Sequence, residues 1–155
     1  MPETNAKRAP LSPYICVRGA GEAIDFYVTA FGAVEAYRLV EPDGKVGHAE
    51  LHFGDSVLMV SDEYPDFGVR APGAFGGSPV ALTLAVADCD AAALRAVSAG
   101  ATLLRPAKDE FHGNRSAMVA CPFGYRWTLT AEIAAVSPEE MQRRWTRMLK
   151  AGESA

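Results

Sequence analysis

Apolar and polar residues alternate along most of this chain, and in three places the period stretches to that of a helix. Pro13-Tyr-Ile-Cys-Val17 predicts a short strand that Gly19 and Gly21 end. From Glu22 to Phe31, Ala23, Ile24, Tyr27, Ala30 and Phe31 recur at helical spacing, and Gly32 is placed to cap that helix. Val34 to Val40, Val46 to Phe53 and Ser56 to Ser61 predict three strands, joined by a Pro42-Asp-Gly44 turn and a Gly54-Asp55 hairpin. Residues 63–79 carry Pro65, Pro72, Pro79, Gly68, Gly73, Gly76 and Gly77, too many breakers for anything but a linker.

The same order then returns. Val80 to Val86 reads as a strand, Asp88 to Ser98 as a helix capped by Gly100, and Thr102 to Arg105 as a strand. Ser116 to Cys121 and Arg126 to Ala131 form a second hairpin about Pro122-Phe-Gly124. Setting Val17 on Val86 carries Gly32 to within one residue of Gly100 and, with one gap, Phe53-Gly54 onto Phe123-Gly124 and Leu58 onto Thr128. The fold class expected is α+β: two βαβββ modules, about 11–62 and 80–132, whose two half-barrel mixed sheets form an open cleft. A C-terminal helix over 137–149 follows, opened by the cap Ser137, Pro138 and the acids Glu139 and Glu140. Residues 1–10 read as a loose arm.

Strand parity separates two faces. Ile15 and Val17 belong under the first helix, and Leu82, Leu84 and Val86 under the second, with Trp127 and Leu129 on the same side. The opposite face carries Ser12, Tyr14 and Cys16, then Ala81, Thr83 and Ala85, and finally Arg126, Thr128, Thr130 and Glu132. That less apolar face is where a ligand would sit.

Composition narrows the setting. At 155 residues the chain suits one domain, with 49% hydrophobic and 22% charged residues. A net charge of −4 argues against nucleic acid as a partner. No apolar run of about 18 residues predicts a membrane span. The three cysteines, Cys16, Cys89 and Cys121, are too few and too far apart for a disulfide framework or a zinc knuckle, which points to a reducing cytoplasm.

Ala23-Ile-Asp-Phe-Tyr27 followed by Ala30-Phe-Gly-Ala33 resembles the first helix of the vicinal-oxygen-chelate superfamily, the glyoxalase, bleomycin-resistance and extradiol dioxygenase proteins. Pro42-Asp-Gly44, Gly47-His-Ala-Glu-Leu51, Gly76-Gly-Ser-Pro79 and Ser137-Pro-Glu-Glu-Met141 are similar to its PhnB-like branch. The resemblance implies a fold, a small-molecule cleft and a homodimer, but no single reaction. Metal-dependent members hold a divalent ion with one side chain from each of four strands. Carried over, those positions are Ser12, Leu58, Ala81 and Thr128, none of them a good ligand.

The resulting expectation is a metal-independent small-molecule binding protein, with no cofactor. Its cleft would be lined by Tyr14, Cys16, Thr83, Arg126, Thr128 and Thr130, with His48, Glu50, His112 and Arg115 nearer the mouth. The 111–115 loop, which closes one end of the cleft in similar proteins, would offer Arg115 to an anion and His112 as donor or base, unless Arg115 is taken by Asp109 or Glu110. Tyr125 would donate to a ligand oxygen or cap its turn. Cys16 reads as filler rather than nucleophile. The alternatives are a metal-dependent lyase, isomerase or dioxygenase with a displaced divalent site at His48 and Glu50 or at Glu132, and a dimeric scaffold with a vestigial cleft. His48, Glu50 and His52 share a strand face but span about 13 Å, too far for one ion without bending. The basic last helix, with Met141, Trp145 and Met148 as an apolar stripe, suits docking on protein rather than on nucleic acid or membrane.

Overall fold

In the computed structural model, residues 9–152 are described; most of the N-terminal arm lies outside them. Each half of the chain builds one four-stranded mixed sheet. The first contains β1 (Tyr14–Cys16), β2 (Val34–Val40), β3 (Val46–Phe53) and β4 (Ser56–Ser61), with α1 (Ala20–Phe31) between β1 and β2. The second contains β5 (Ala81–Ala85), β6 (Thr102–Asp109), β7 (Asn114–Ala120) and β8 (Arg126–Glu132), with α2 (Cys89–Ala99) after β5. The strand orders, β1-β4-β3-β2 and β5-β8-β7-β6, are the same topology twice. In each, the first strand runs parallel to the last: Tyr14 lies beside Met59, and Thr83 beside Thr128. α3 (Pro138–Lys150) follows, with the Glu140 amide in its first turn donating to the Ser137 hydroxyl.

Three boundaries differ from the sequence reading, each for a visible reason. α1 begins two residues early because the Asp62 carboxylate accepts from Gly19 N and Ala20 N at 3.1 and 2.9 Å, a cap supplied from the end of β4. β6 continues through Pro106 to Asp109; it is an edge strand with shifted pairing between Arg105 and Lys108, where a missing N–H is tolerated. Asn114 and Arg115 belong to β7 rather than to a loop. The linker is folded into two 3-10 turns, Pro65–Phe67 and Pro72–Phe75.

Both modules share one core. α1 sends Phe26, Tyr27 and Phe31 against Phe123 and Trp127 of the second module; the Phe31 and Trp127 ring centroids lie 4.4 Å apart. Ile15, Val60, Leu51 and Ala49 approach this core from the first sheet, and Leu129, Val119 and Ala117 from the second. Arg95 of α2 donates to the Thr29 carbonyl, and the Tyr125 hydroxyl to that of Cys16, tying the modules at two further points. Because the helix-side faces of both sheets meet in this core, their opposite faces look outward.

Candidate functional site

The first outward face is a connected polar group. In register, Tyr14 and Cys16 on β1 stand beside Met59 and Ser61 on β4, Glu50 on β3 lies across from Met59, and Tyr37 on β2 across from Glu50. The strand period of two thus delivers His48, Glu50 and His52 to one side. The Tyr14 hydroxyl and His48 Nδ1 are 2.7 Å apart, and Tyr37 donates to Glu50 Oε1 at 3.0 Å. Glu50 Oε1 lies 3.7 Å from His48 Nε2, and Oε2 lies 4.0 Å from His52 Nε2. The Glu50 side chain is only 12% exposed. Partial burial raises the Tyr14 hydroxyl above its ordinary pKa. Burial, then the carboxylates of Glu63 and Asp62, pushes the Cys16 thiol up to about 11, so it is an un-ionised filler at neutral pH.

The second outward face carries Thr83, Arg126, Thr128 and Thr130, as parity required. Asn114 Nδ2 donates to Thr130 Oγ1 at 2.9 Å. Next to it lies a cluster that sequence reading missed, because β6 was ended at Arg105. Arg105 donates to Glu110 Oε1 and Ser116 Oγ at 2.7 and 2.8 Å, and Ser116 Oγ donates to the same Glu110 oxygen. Ser116 is buried at 4% exposure on the strand position facing Thr130. Tyr37 was missed likewise, since only the β2–β3 register places it beside Glu50, whereas His52 stands on the face that the strand period predicts.

Other candidates are placed differently. Arg115 alternates with Ser116 and so points to the helix side, where its guanidinium binds both Asp90 oxygens at 2.7 and 3.0 Å and Asp109 at 2.8 Å. It clamps α2 to the second sheet instead of lining a cleft mouth. His112 lies edge-on to Phe111, which in turn meets Trp145 of α3. Tyr125 is spent on the Cys16 carbonyl, and Glu132 is exposed at the strand end.

The metal positions also need one correction. Pairing places Met59 opposite Thr128 in the repeat, so Leu58, which is buried on the core side, was one residue off. Met59 offers only a thioether, a poor partner for hard divalent ions. Among the described residues no group of three His, Cys, Asp or Glu side chains is arranged to hold an ion. The donor set therefore does not fit a metal at the positions where such relatives carry one. A separate groove of about 720 Å³ opens between the modules on the helix side, walled by Phe31, Phe53, Leu58, Leu82, Leu84 and Trp127; of the candidate residues only Thr83 borders it.

The model of the glyoxalase/bleomycin resistance protein/dioxygenase superfamily matches residues 10–129. An uncharacterised protein of Mycobacterium bovis is 42% identical over 135 residues, which cover 85% of this chain and 89% of that protein. The solved structure of an Arabidopsis thaliana gene product is 28% identical with a TM-score of 0.63, covering 78% of this chain and 97% of that one. A glyoxalase-related enzyme from Fulvimarina pelagi, 22% identical, has a TM-score of 0.64 over 81% of this chain and 88% of its own, a likeness of fold.

Proposed function

The chain belongs to the glyoxalase/bleomycin resistance protein/dioxygenase superfamily, and on that premise we propose that it binds a small organic molecule, without a resident metal, in a cleft assembled from the outward sheet faces of two copies. The observation that carries this reading is the direction of those faces. Each module turns its apolar side to the shared core and leaves a half-buried, donor-rich side uncovered. The first face of one copy and the second face of another would together wall a cleft that neither encloses alone. Val80, 56% exposed just before the edge strand β5, lies where such a second copy would cover it. Arg126, Thr128 and Thr130 would then face Tyr14, His48 and Glu50 across the ligand.

Sequestration of the ligand suits this site better than metal-assisted turnover, because Ser12, Met59, Ala81 and Thr128 offer neither imidazole nor carboxylate at the positions where metal-dependent relatives hold their ion. Three free cysteines support a place in a reducing compartment such as the cytoplasm, and among the described residues no helix is long and apolar enough to cross a membrane. The segments similar to the PhnB-like branch support that placement within the superfamily.

The test is a thermal-shift screen of small aromatic and carbonyl compounds, in the presence of a chelator. A compound that raises the melting temperature of the wild-type protein but not of Thr128→Trp, a variant that fills the cleft, is the expected result. Stabilisation that disappears in chelator and returns with a divalent ion would overturn the metal-free reading.

A further inference from the structure

We propose that Tyr14, His48 and Glu50 form a proton-accepting relay that ionises an acidic hydroxyl, a phenol or an enol, on the molecule bound at the first module's outward face. The inference rests on the reading that this face binds a small molecule, and it adds a chemistry to it. Glu50 Oε1 faces His48 Nε2 at 3.7 Å, and a carboxylate there favours the tautomer with its proton on Nε2. His48 Nδ1 is then an acceptor, 2.7 Å from the Tyr14 oxygen, so the tyrosine O–H is spent on the imidazole. That leaves an acceptor lone pair on Tyr14, whose residue is 53% exposed, for a donor arriving from the cleft. A nucleophile or acceptor backed by an imidazole, itself oriented by a carboxylate, is the general arrangement for activating an O–H bond.

The step balances without any co-reactant. The ligand O–H bond breaks and its proton bonds to Tyr14 Oη, while the Tyr14 proton passes to His48 Nδ1. The electron pair stays on the ligand oxygen, and the imidazolium lies between Tyr14 and the Glu50 carboxylate. Tyr37 holds Glu50 in place from β2, and His52 faces its other oxygen from β3. Ser61 on β4 lies within hydrogen-bonding reach of the Tyr14 hydroxyl, but its own proton goes to the Asp62 carbonyl at 3.0 Å, and the Cys16 thiol on β1 carries no charge to compete. Burial keeps Tyr14 protonated at rest, so the hydroxyl is in the form the relay needs.

Two readouts test it. The chain has three histidines, so proton–nitrogen NMR of isotope-labelled protein can be assigned with single His→Gln variants. The neutral His48 ring should carry its proton on Nε2, and Tyr14→Phe should shift its Nδ1 resonance. A proton on Nδ1 would overturn the relay. The second readout is the absorbance of para-nitrophenol, used as probe. Bound probe should be ionised at a pH where free probe is largely protonated. His48→Gln and Tyr14→Phe should each lower the ratio of ionised to protonated bound probe about tenfold, one pKa unit's worth, while His52→Gln should not. Bound probe that stays protonated would overturn the proposal. Probe that does not bind at all would count against the binding reading, and the tautomer would still decide the relay.

Discussion

Asp62 shows how one side chain can set the geometry of a whole face. Its Oδ1 takes the first two amides of the α1 turn, and its Oδ2 takes Val46 N at 2.8 Å, so it ties the end of β4 to α1 and to β3. Asp62→Ala should cost about 1–3 kcal/mol, the range for losing a cap plus leaving buried donors unmet, read as a lower urea midpoint at unchanged slope. Asp62→Asn should recover part of it; equal losses in both variants would show that the carboxylate geometry is not what matters. This contact was invisible in the sequence, because 42 residues separate Asp62 from Ala20 and no periodicity links them. Cys16 was legible in parity but not in environment. With its thiol at about 11, it should react with iodoacetamide at neutral pH far more slowly than a free cysteine, whose thiol titrates near 8.5; reaction at the free-thiol rate would contradict its setting beside Asp62 and Glu63.

Among the elements, β7 carries the most instruction. Its boundary shifted because the turn before it is tight: Gly113 has φ +95, and a Cβ there would lie 2.3 Å from the Ala134 carbonyl oxygen. Ile133 and Ala134 donate to the Gly113 carbonyl, joining this turn to the segment that leads into α3. Gly113→Ala should therefore destabilise by about 2–4 kcal/mol through strain and clash, and should loosen α3 by proteolysis before the sheets. Arg115, the second residue of β7, reads as a ligand partner from sequence because the chain shows charges and not faces. Its hydrogen bonds hold the Asp90 carboxyl below its ordinary pKa. A carboxyl depressed on folding contributes stability above its unfolded value, about 4, and loses it as pH falls through the native value. Arg115→Met should thus lower the melting temperature at neutral pH and flatten its decline between about pH 5 and 2, relative to wild type. An unchanged acid slope would mean the clamp does not survive in solution. Strand existence, both hairpins and the cap of α3 were readable because turn chemistry and period are local. The Arg105–Glu110–Ser116 cluster was not, since it depends on an edge strand passing through Pro106.

At the scale of the whole molecule, the repeat told the topology but not the direction of the two halves. Duplicated βαβββ units can be joined with their concave faces together or with their helix sides together, and residue pattern is the same in both. The side chains that decide it are Phe26, Tyr27 and Phe31, which pack on Phe123 and Trp127 across the module boundary and so turn the polar faces outward. The metal positions erred by one residue for a related reason: the repeat was aligned on Phe53-Gly54, whereas strand pairing sets the β4 to β8 correspondence through Met59 and Thr128. Under the proposed binding reading, outward faces make assembly part of the function, because the two halves of that cleft come from different copies. Sedimentation should give twice the 16.5 kDa chain mass. Val80→Lys, a charge at the exposed residue just before β5, should shift that equilibrium toward monomer while leaving the far-UV spectrum intact. Ligand-induced stabilisation should fall in step with the dimer fraction, since each cleft would lose one wall. A monomeric wild-type protein that still binds its ligand would place the site within a single copy, and the groove between Phe31, Leu84 and Trp127 would then be the one to probe.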